Sequence, residues 1–212
     1  MKMKIGGFVK QSLIDYPGKV ASVIFTRGCN FRCGYCHNPY LVLPELFDKN
    51  TLVLKDEIFR YLQERKSWLE AVVVTGGEPT IHNDLPEFLK QIREFGYKVK
   101  LDTNGSNPEM LQIILAKKLV DYIAMDIKTV LRPEEYSKIT GIQDKEAIVE
   151  NVISSMKLIR EAPINFEFRT TNIPGTDTEA IVESISKIVG NIGSYKLNDF
   201  QEGLTINKYI QT

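Results

Sequence analysis

Cys29, Cys33 and Cys36 are the whole cysteine content of the 212-residue chain, with three residues between the first two and two between the last two. An odd number of thiols in one loop is a poor disulfide framework and a good metal-binding one in a reducing compartment. Two cysteines two residues apart grip one metal ion or two corners of an iron–sulfur cluster, and a third adds a further corner. Structural zinc takes four ligands. Here the fourth would have to be His37, which adjoins Cys36 and is poorly placed to reach the same ion, or His82, the one other histidine. A four-iron cluster on three thiolates instead leaves one iron open, and an open coordination position suits catalysis.

The elements that must position this loop follow a repeating grammar. Residues 19–26, short, β-branched and bounded by Gly18 and Gly28, predict a buried strand that delivers the cysteine loop (27–39) from its C-terminal end. Upstream, in residues 1–18, a short strand is expected over 4–9, and Pro17-Gly18 marks a turn that leaves Asp15 and Tyr16 at an exposed bend. Downstream, residues 40–50 read as irregular and 55–69 as an amphipathic helix. Strands are then expected at 71–74, 98–102, 121–127, 165–170 and 194–200. Helices alternate with them: one from Asn83-Asp84 to Gly96, one capped at Ser106 or Asn107 with Pro108 at its first position, one at 144–161 and one at 177–189. The stretch from Pro133 to Gly141 reads as a polar connection, and the tail 201–212 is weakly patterned.

Six strands alternating with five helices predict an α/β fold with a parallel sheet in a single domain, 1–212. Periodicity does not decide between a barrel and an open sheet. Polar residues gather at the C-terminal strand ends, however: the cysteines, then Thr75-Gly76-Gly77-Glu78, Asp102-Thr103-Asn104-Gly105, Met125-Asp126-Ile127-Lys128 and Arg169-Thr170-Thr171. That edge is where barrel and open α/β enzymes build their sites.

Composition bounds the partners. Twenty-seven basic residues balance 27 acidic ones, so no global field recruits nucleic acid or an anionic membrane. No apolar run approaches the roughly 18 to 20 residues of a membrane span, so no membrane is expected and the location expected is cytoplasmic.

The spacing Cys-x3-Cys-x2-Cys, with Tyr35 before Cys36, together with Gly76-Gly77-Glu78-Pro79, resembles the radical S-adenosylmethionine (SAM) superfamily. Cys36-His37-Asn38-Pro39, Asp102-Thr103-Asn104-Gly105 and Met125-Asp126-Ile127-Lys128 narrow the resemblance to the glycyl-radical-enzyme activases. With Ser12-Leu13-Ile14-Asp15-Tyr16-Pro17-Gly18-Lys19 included, the chain is most similar to activating proteins of anaerobic ribonucleoside-triphosphate reductase; formate-lyase activases carry Asp-Gly-Pro-Gly at the turn instead.

The resemblance implies a partial (β/α)6 barrel of parallel strands, a 4Fe-4S cluster and SAM. It implies reductive cleavage of SAM to a 5′-deoxyadenosyl radical, which takes a hydrogen atom from a glycine of a partner enzyme. By the same resemblance, Cys29, Cys33 and Cys36 hold the irons, and Tyr35 and His37 flank the adenine side. Gly76, Gly77 and Glu78 receive the methionyl group, Glu78 through its ammonium. Asp126, Lys128 and Arg169 lie near the cofactor with Asp102, Thr103 and Asn104. Asp102, Thr103 and Asp126 could also enclose a monovalent cation. Asp15 and Tyr16 fall near the substrate glycine. A histidine that some relatives use near the sixth strand has no counterpart after His82, so that contact falls to Lys196, Asn198, Asp199 or backbone. With no second cysteine cluster, electrons are expected from a separate flavodoxin- or ferredoxin-type donor. Two other classes share part of the pattern: a radical SAM enzyme acting on a small molecule, like 7-carboxy-7-deazaguanine synthase, and a non-catalytic iron–sulfur electron carrier.

Overall fold

The structure is a computed structural model that describes residues 2–48, 52–190 and 195–209. Seven strands lie in one sheet in the order in which they occur in the chain. They are β1 (Ile5–Ser12), β2 (Ala21–Thr26), β3 (Ala71–Gly76), β4 (Lys98–Thr103), β5 (Tyr122–Asp126), β6 (Asn165–Asn172) and β7 (Tyr195–Asp199). From β2 onward every neighbouring pair is parallel. β1 is added antiparallel along the edge of β2, with Ser12 opposite Ala21. Strand order settles what periodicity leaves open. Every crossover advances one strand in the same direction, and right-handed crossovers then put all helices on one face. The other face curls in on itself, which makes a partial barrel rather than a doubly wound sheet.

A single helical turn, α1 (Pro39–Val42), closes the cysteine loop and has proline at its first position. Helices α2 (Lys55–Glu64), α3 (Leu85–Glu94), α4 (Pro108–Ala116), α6 (Lys145–Glu161) and α7 (Thr178–Val189) cover the outer face. Their apolar stripes, including Ile58, Leu62, Phe88, Leu89, Ile92, Ile114, Val152 and Ile159, pack on Val72, Val74, Val99, Leu101 and Ile123 of the sheet. Successive strand residues face opposite ways. In β4, Val99 and Leu101 therefore join this outer core, while Lys100 and Asp102 belong to the inner face. Caps fall where the sequence places them: Asn107 Oδ1 accepts from the Met110 N–H at 3.1 Å, and Asp177 Oδ1 from the Ala180 N–H at 3.0 Å.

Three local expectations are corrected. The helix expected over 55–69 ends at Glu64; the Arg65 N–H is shared between the Tyr61 and Leu62 carbonyls, which tightens the last turn and leaves Trp68 exposed. The polar connection holds a helix, α5 (Pro133–Thr140), started by its proline and stopped by Gly141 in the left-handed region at φ 71°. Tyr16 is not at an exposed bend. Its ring turns into the floor of the barrel and packs with Ala21, Val23, Ala71 and Val73, meeting Tyr122 edge-on at 5.8 Å. Leu13 and Ile14 stay outside at 71% and 90% exposure. Ser194, where the sixth-strand expectation begins, and tail residues 210–212 lie outside the described residues.

Tyr16→Ala opens a void among these side chains and is expected to cost the cofactor-free protein about 3–5 kcal/mol in chemical denaturation, against about 1 kcal/mol for Tyr16→Phe. An alanine variant within about 1 kcal/mol of wild type would mean that the floor closes without the ring.

Candidate active site

The cysteine loop leaves the C-terminal end of β2 and is stitched at once to the end of β3. The Gly77 N–H donates to Thr26 O at 2.9 Å, and the Glu78 N–H to Gly28 O at 2.8 Å. A Cβ on Gly77 would stand 1.9 Å from Gly28 O, and one on Gly76, whose φ is 117°, 2.4 Å from the Thr26 nitrogen. The two glycines are therefore demanded by the chain's own close approach. Further along, α5 supports the loop from outside: Phe31 packs edge-on against Tyr136, and the Arg32 N–H donates to Thr140 O at 2.7 Å.

Glu78 is 1% exposed, and its carboxylate ties three segments together. Oε1 accepts from the Thr80 N–H at 3.1 Å, the Thr80 hydroxyl at 2.6 Å and the Thr103 hydroxyl at 2.7 Å; Oε2 accepts from the Asn104 N–H at 2.7 Å. Burial raises its pKa while these donors pull it back. Oε2, with a single donor, keeps capacity for one more. Asn104 in turn donates through Nδ2 to Asn30 Oδ1 at 3.0 Å, and Asn30 Nδ2 to the Ser106 hydroxyl at 2.8 Å, so the β4 loop grips the cysteine loop directly.

Inside the barrel, charges alternate. Lys100 Nζ lies 3.0 Å from Asp102 Oδ1, and Arg169 bridges Asp102 Oδ2 at 3.5 Å and Asp126 Oδ1 at 2.8 Å. Lys128 Nζ meets Asp126 Oδ2 at 3.1 Å. Burial acts to raise the Asp126 pKa, but Arg169 and then Lys128 overcome it and hold the carboxyl well below the usual carboxylate range. Lys100, Arg169 and Lys128 thus surround the Asp102 and Asp126 carboxylates with positive charge.

These groups meet at a cavity of about 270 Å³. It is lined by all three cysteines with Tyr35, His37 and Asn38 from the loop; by Thr75, Gly76, Gly77 and Glu78 after β3; by Asp102, Thr103 and Asn104 from β4; and by Asp126, Lys128, Thr171 and Asp199 from the later strands. The thiols are free. Burial pushes Cys29 up to about 12 and Cys33 to about 11, so a metal must displace their protons to bind. The Phe31 N–H points at Cys29 Sγ at 3.3 Å and the Asn38 N–H at Cys36 Sγ at 3.5 Å, a setting ready to support thiolates. Among the described residues no three His, Cys, Asp or Glu side chains are grouped so as to hold a single metal ion. Asp102 Oδ1 is buried and meets no well-formed hydrogen bond, though the Lys100 ammonium stands 3.0 Å away, so it keeps capacity to accept.

Not every expected residue reaches this cavity. Asp15 and Tyr16 lie at the other end of the barrel, and Arg169 stands behind Asp126 rather than on the wall. Two contributors were not anticipated. The tail supplies Gln201 and Ile206 to the cavity; Ile206 is fully buried, its N–H donates to Cys36 O and the Asn207 N–H donates to Gly34 O, each at 3.0 Å. In the tail Leu204 and Ile206 stand two apart and Ile206 and Tyr209 three apart, a short mixed pattern that points to no one element. α5 did have a signal, in its flanking proline and glycine.

A model of the Radical SAM superfamily matches residues 23–188. The chain belongs to that superfamily. Its members' chemistry implies a 4Fe-4S cluster and SAM, and the donor set and free acceptor above fit both. Over 203 residues the chain is 34% identical to a protein of Methanocaldococcus jannaschii named as a candidate glycyl-radical enzyme activating enzyme, covering 95% of this chain and 81% of that protein. A candidate GTP 3′,8-cyclase of Thermococcus kodakarensis is 31% identical over 144 residues, 68% of this chain and 45% of its own length. Among solved structures, SuiB of Streptococcus suis bound to SAM superposes with a TM-score of 0.64 at 18% identity, covering 88% of this chain and 42% of SuiB. TYW1 with a lysine-pyruvate adduct gives 0.60 at 14% identity over 86% of this chain and 65% of TYW1. These two likenesses concern the fold. The chain spans less than half the length of the cyclase and of SuiB.

Both carboxylate systems can be probed in the cofactor-free protein. Glu78→Gln turns an amide donor toward groups that are themselves donors and is expected to destabilise by about 1–3 kcal/mol in urea denaturation; an unchanged midpoint would show that the carboxylate is not the knot. Asp126, depressed in the fold, stabilises at pH values above its unfolded pKa of about 3.9, and that contribution is lost as pH falls through and below this value. Asp126→Asn should lower stability at pH 7 and make the acid limb of the stability curve shallower, whereas a parallel acid limb would exclude the Arg169–Asp126 pair as its source.

Proposed function

We propose that the chain is a glycyl-radical-enzyme activase that takes SAM and a 4Fe-4S cluster in the cavity and acts on a glycine of a partner protein, an anaerobic ribonucleoside-triphosphate reductase. The observation that carries this reading is the charge of the cavity wall. Glu78, Asp102, Asp126 and Asp199 face it, and among the described residues Lys128 is its one ammonium, already paired with Asp126. SAM carries a sulfonium, an ammonium and one carboxylate, a net positive charge that an acidic wall favours. The long match to the candidate activase from M. jannaschii, against a match to less than half of the cyclase, points the same way.

Bound together, the reduced cluster and SAM supply a carbon-centred radical able to take a hydrogen atom. The chain's own residues would bind and orient. Cys29, Cys33 and Cys36 are the cluster ligands, and Tyr35 and His37 flank the adenine. Gly76 and Gly77 present main chain to the methionyl group, and Glu78 Oε2 accepts from its ammonium. Lys128 faces the carboxylate, with Asp102, Thr103, Asn104, Asp126 and Arg169 holding the surrounding frame. Asp199 is the contact from the last strand. All three cysteines are in the loop, so a flavodoxin- or ferredoxin-type protein delivers the electron. Asp15 and Tyr16 shape the floor under the substrate.

Anaerobic reconstitution with iron and sulfide, reduction and addition of SAM is expected to yield 5′-deoxyadenosine, and addition of the reductase a glycyl radical signal in electron paramagnetic resonance. Absence of 5′-deoxyadenosine leaves an electron carrier; 5′-deoxyadenosine without the protein radical, but with turnover of a purine substrate, leaves a small-molecule enzyme. Replacing any one of Cys29, Cys33 or Cys36 by alanine should abolish the visible absorption of the cluster, and a full four-iron complement in such a variant would remove that cysteine from the ligand set.

A further inference from the structure

Lys100 has no part in the cavity wall, yet among the described residues it is the one lysine that is buried, 3% exposed in the middle of β4. Burying an ammonium is costly unless its partners are in place, so what it touches matters. Its Nζ donates to the main-chain carbonyl of Asp15 at 2.8 Å, on the floor loop between β1 and β2. The same Nζ stands 3.0 Å from Asp102 Oδ1, on the wall of the cavity, and 5.7 Å from the centre of the Tyr122 ring. Lys100 is thus the point where the two ends of the barrel interior meet.

Asp102 has two cationic neighbours, Lys100 and Arg169, and Arg169 is the closer partner of Asp126, at 2.8 Å against 3.5 Å for Asp102. Without the ammonium of Lys100, the Asp102 carboxylate would be left buried with a distant guanidinium as its sole counter-charge. The favourable response is for Arg169 to move toward Asp102, which loosens its hold on Asp126 and, through Asp126, alters the seat of Lys128. Within this chain of contacts, Lys100 is the member that reaches the floor loop.

We propose that Lys100 is a positioning residue for SAM: by supplying the counter-charge of Asp102 it keeps Arg169 on Asp126 and Lys128 facing the cavity, and it locks this arrangement to the floor loop through the Asp15 carbonyl. The inference rests on the reading of the cavity as a SAM site. It differs from that reading in assigning a role to a side chain that does not touch the cofactor.

The test uses full-length protein with its cluster reconstituted, measuring SAM binding by equilibrium dialysis, with thermal unfolding and iron content as controls. Lys100→Met keeps the apolar stem and removes the charge. It is expected to retain wild-type iron and to bind SAM about tenfold more weakly, and in a cycle with Asp102→Asn the two losses should be non-additive because one acts through the other. Lys100→Gln, which retains a donor for the Asp15 carbonyl, is expected to fold and to lose affinity likewise. Unchanged SAM affinity in either folded variant, or additive losses in the cycle, overturns the proposal, as does failure of both variants to fold, which makes Lys100 structural. Absence of SAM binding by the wild-type protein would overturn the reading of the site itself, an outcome distinguishable from the others.

Discussion

A carboxylate sealed from water needs every donor it can find, and the surroundings of Glu78 are built to that demand. Its four hydrogen bonds come from Thr80, Thr103 and Asn104, so the loop after β3 and the loop after β4 are fastened to one point. Asn104 passes the constraint to Asn30 in the cysteine loop. The cysteines are consequently placed by two neighbouring strands as well as by their own, which is how three thiols can be preorganised before any metal arrives. The stitch between Gly77, Glu78 and the residues leaving β2 has the same effect from the other side, and it leaves no room for a side chain at either glycine.

A second polar system lies below the first. Lys100, Asp102, Arg169, Asp126 and Lys128 alternate in sign along the inner face of β4, β5 and β6 and beyond. Such a chain contributes little net stability compared with an apolar filling, because each charge must give up its water. What it contributes is arrangement. Each member has a partner that would be left uncompensated by a change of position, so the wall of the cavity is held by electrostatics where the outer face of the sheet is held by Val, Leu and Ile packing. Tyr16 and Tyr122 close the barrel beneath it.

The cysteine loop is also held from without, by parts of the chain with little pattern of their own. α5 lies against Phe31 and Arg32, and Ile206 and Asn207 hydrogen-bond to the carbonyls of Cys36 and Gly34. Both segments cover a loop that, at the end of a strand, would otherwise present its backbone to solvent.

Much of this was legible in the amino-acid order. Alternation of strands and helices, proline and asparagine at helix starts, and polar clusters at successive strand ends determined the class of fold and the edge where the site lies, because these signals are local. The spacing of Cys29, Cys33 and Cys36 alone pointed to a metal, and with Gly76-Gly77-Glu78 it carried the resemblance to the radical SAM superfamily, because these motifs are short runs of neighbouring residues. Tertiary structure decided the rest. Whether the sheet curls depends on strand order, which no single segment encodes. That Glu78 is a knot, that Asp102 and Asp126 have lysine and arginine for counter-charges, that Tyr16 points inward and that Ile206 reaches the cavity all depend on which residues meet across tens of positions. Those meetings are set by packing and by the partners a buried charge requires, and neither is written at the position where its effect is felt.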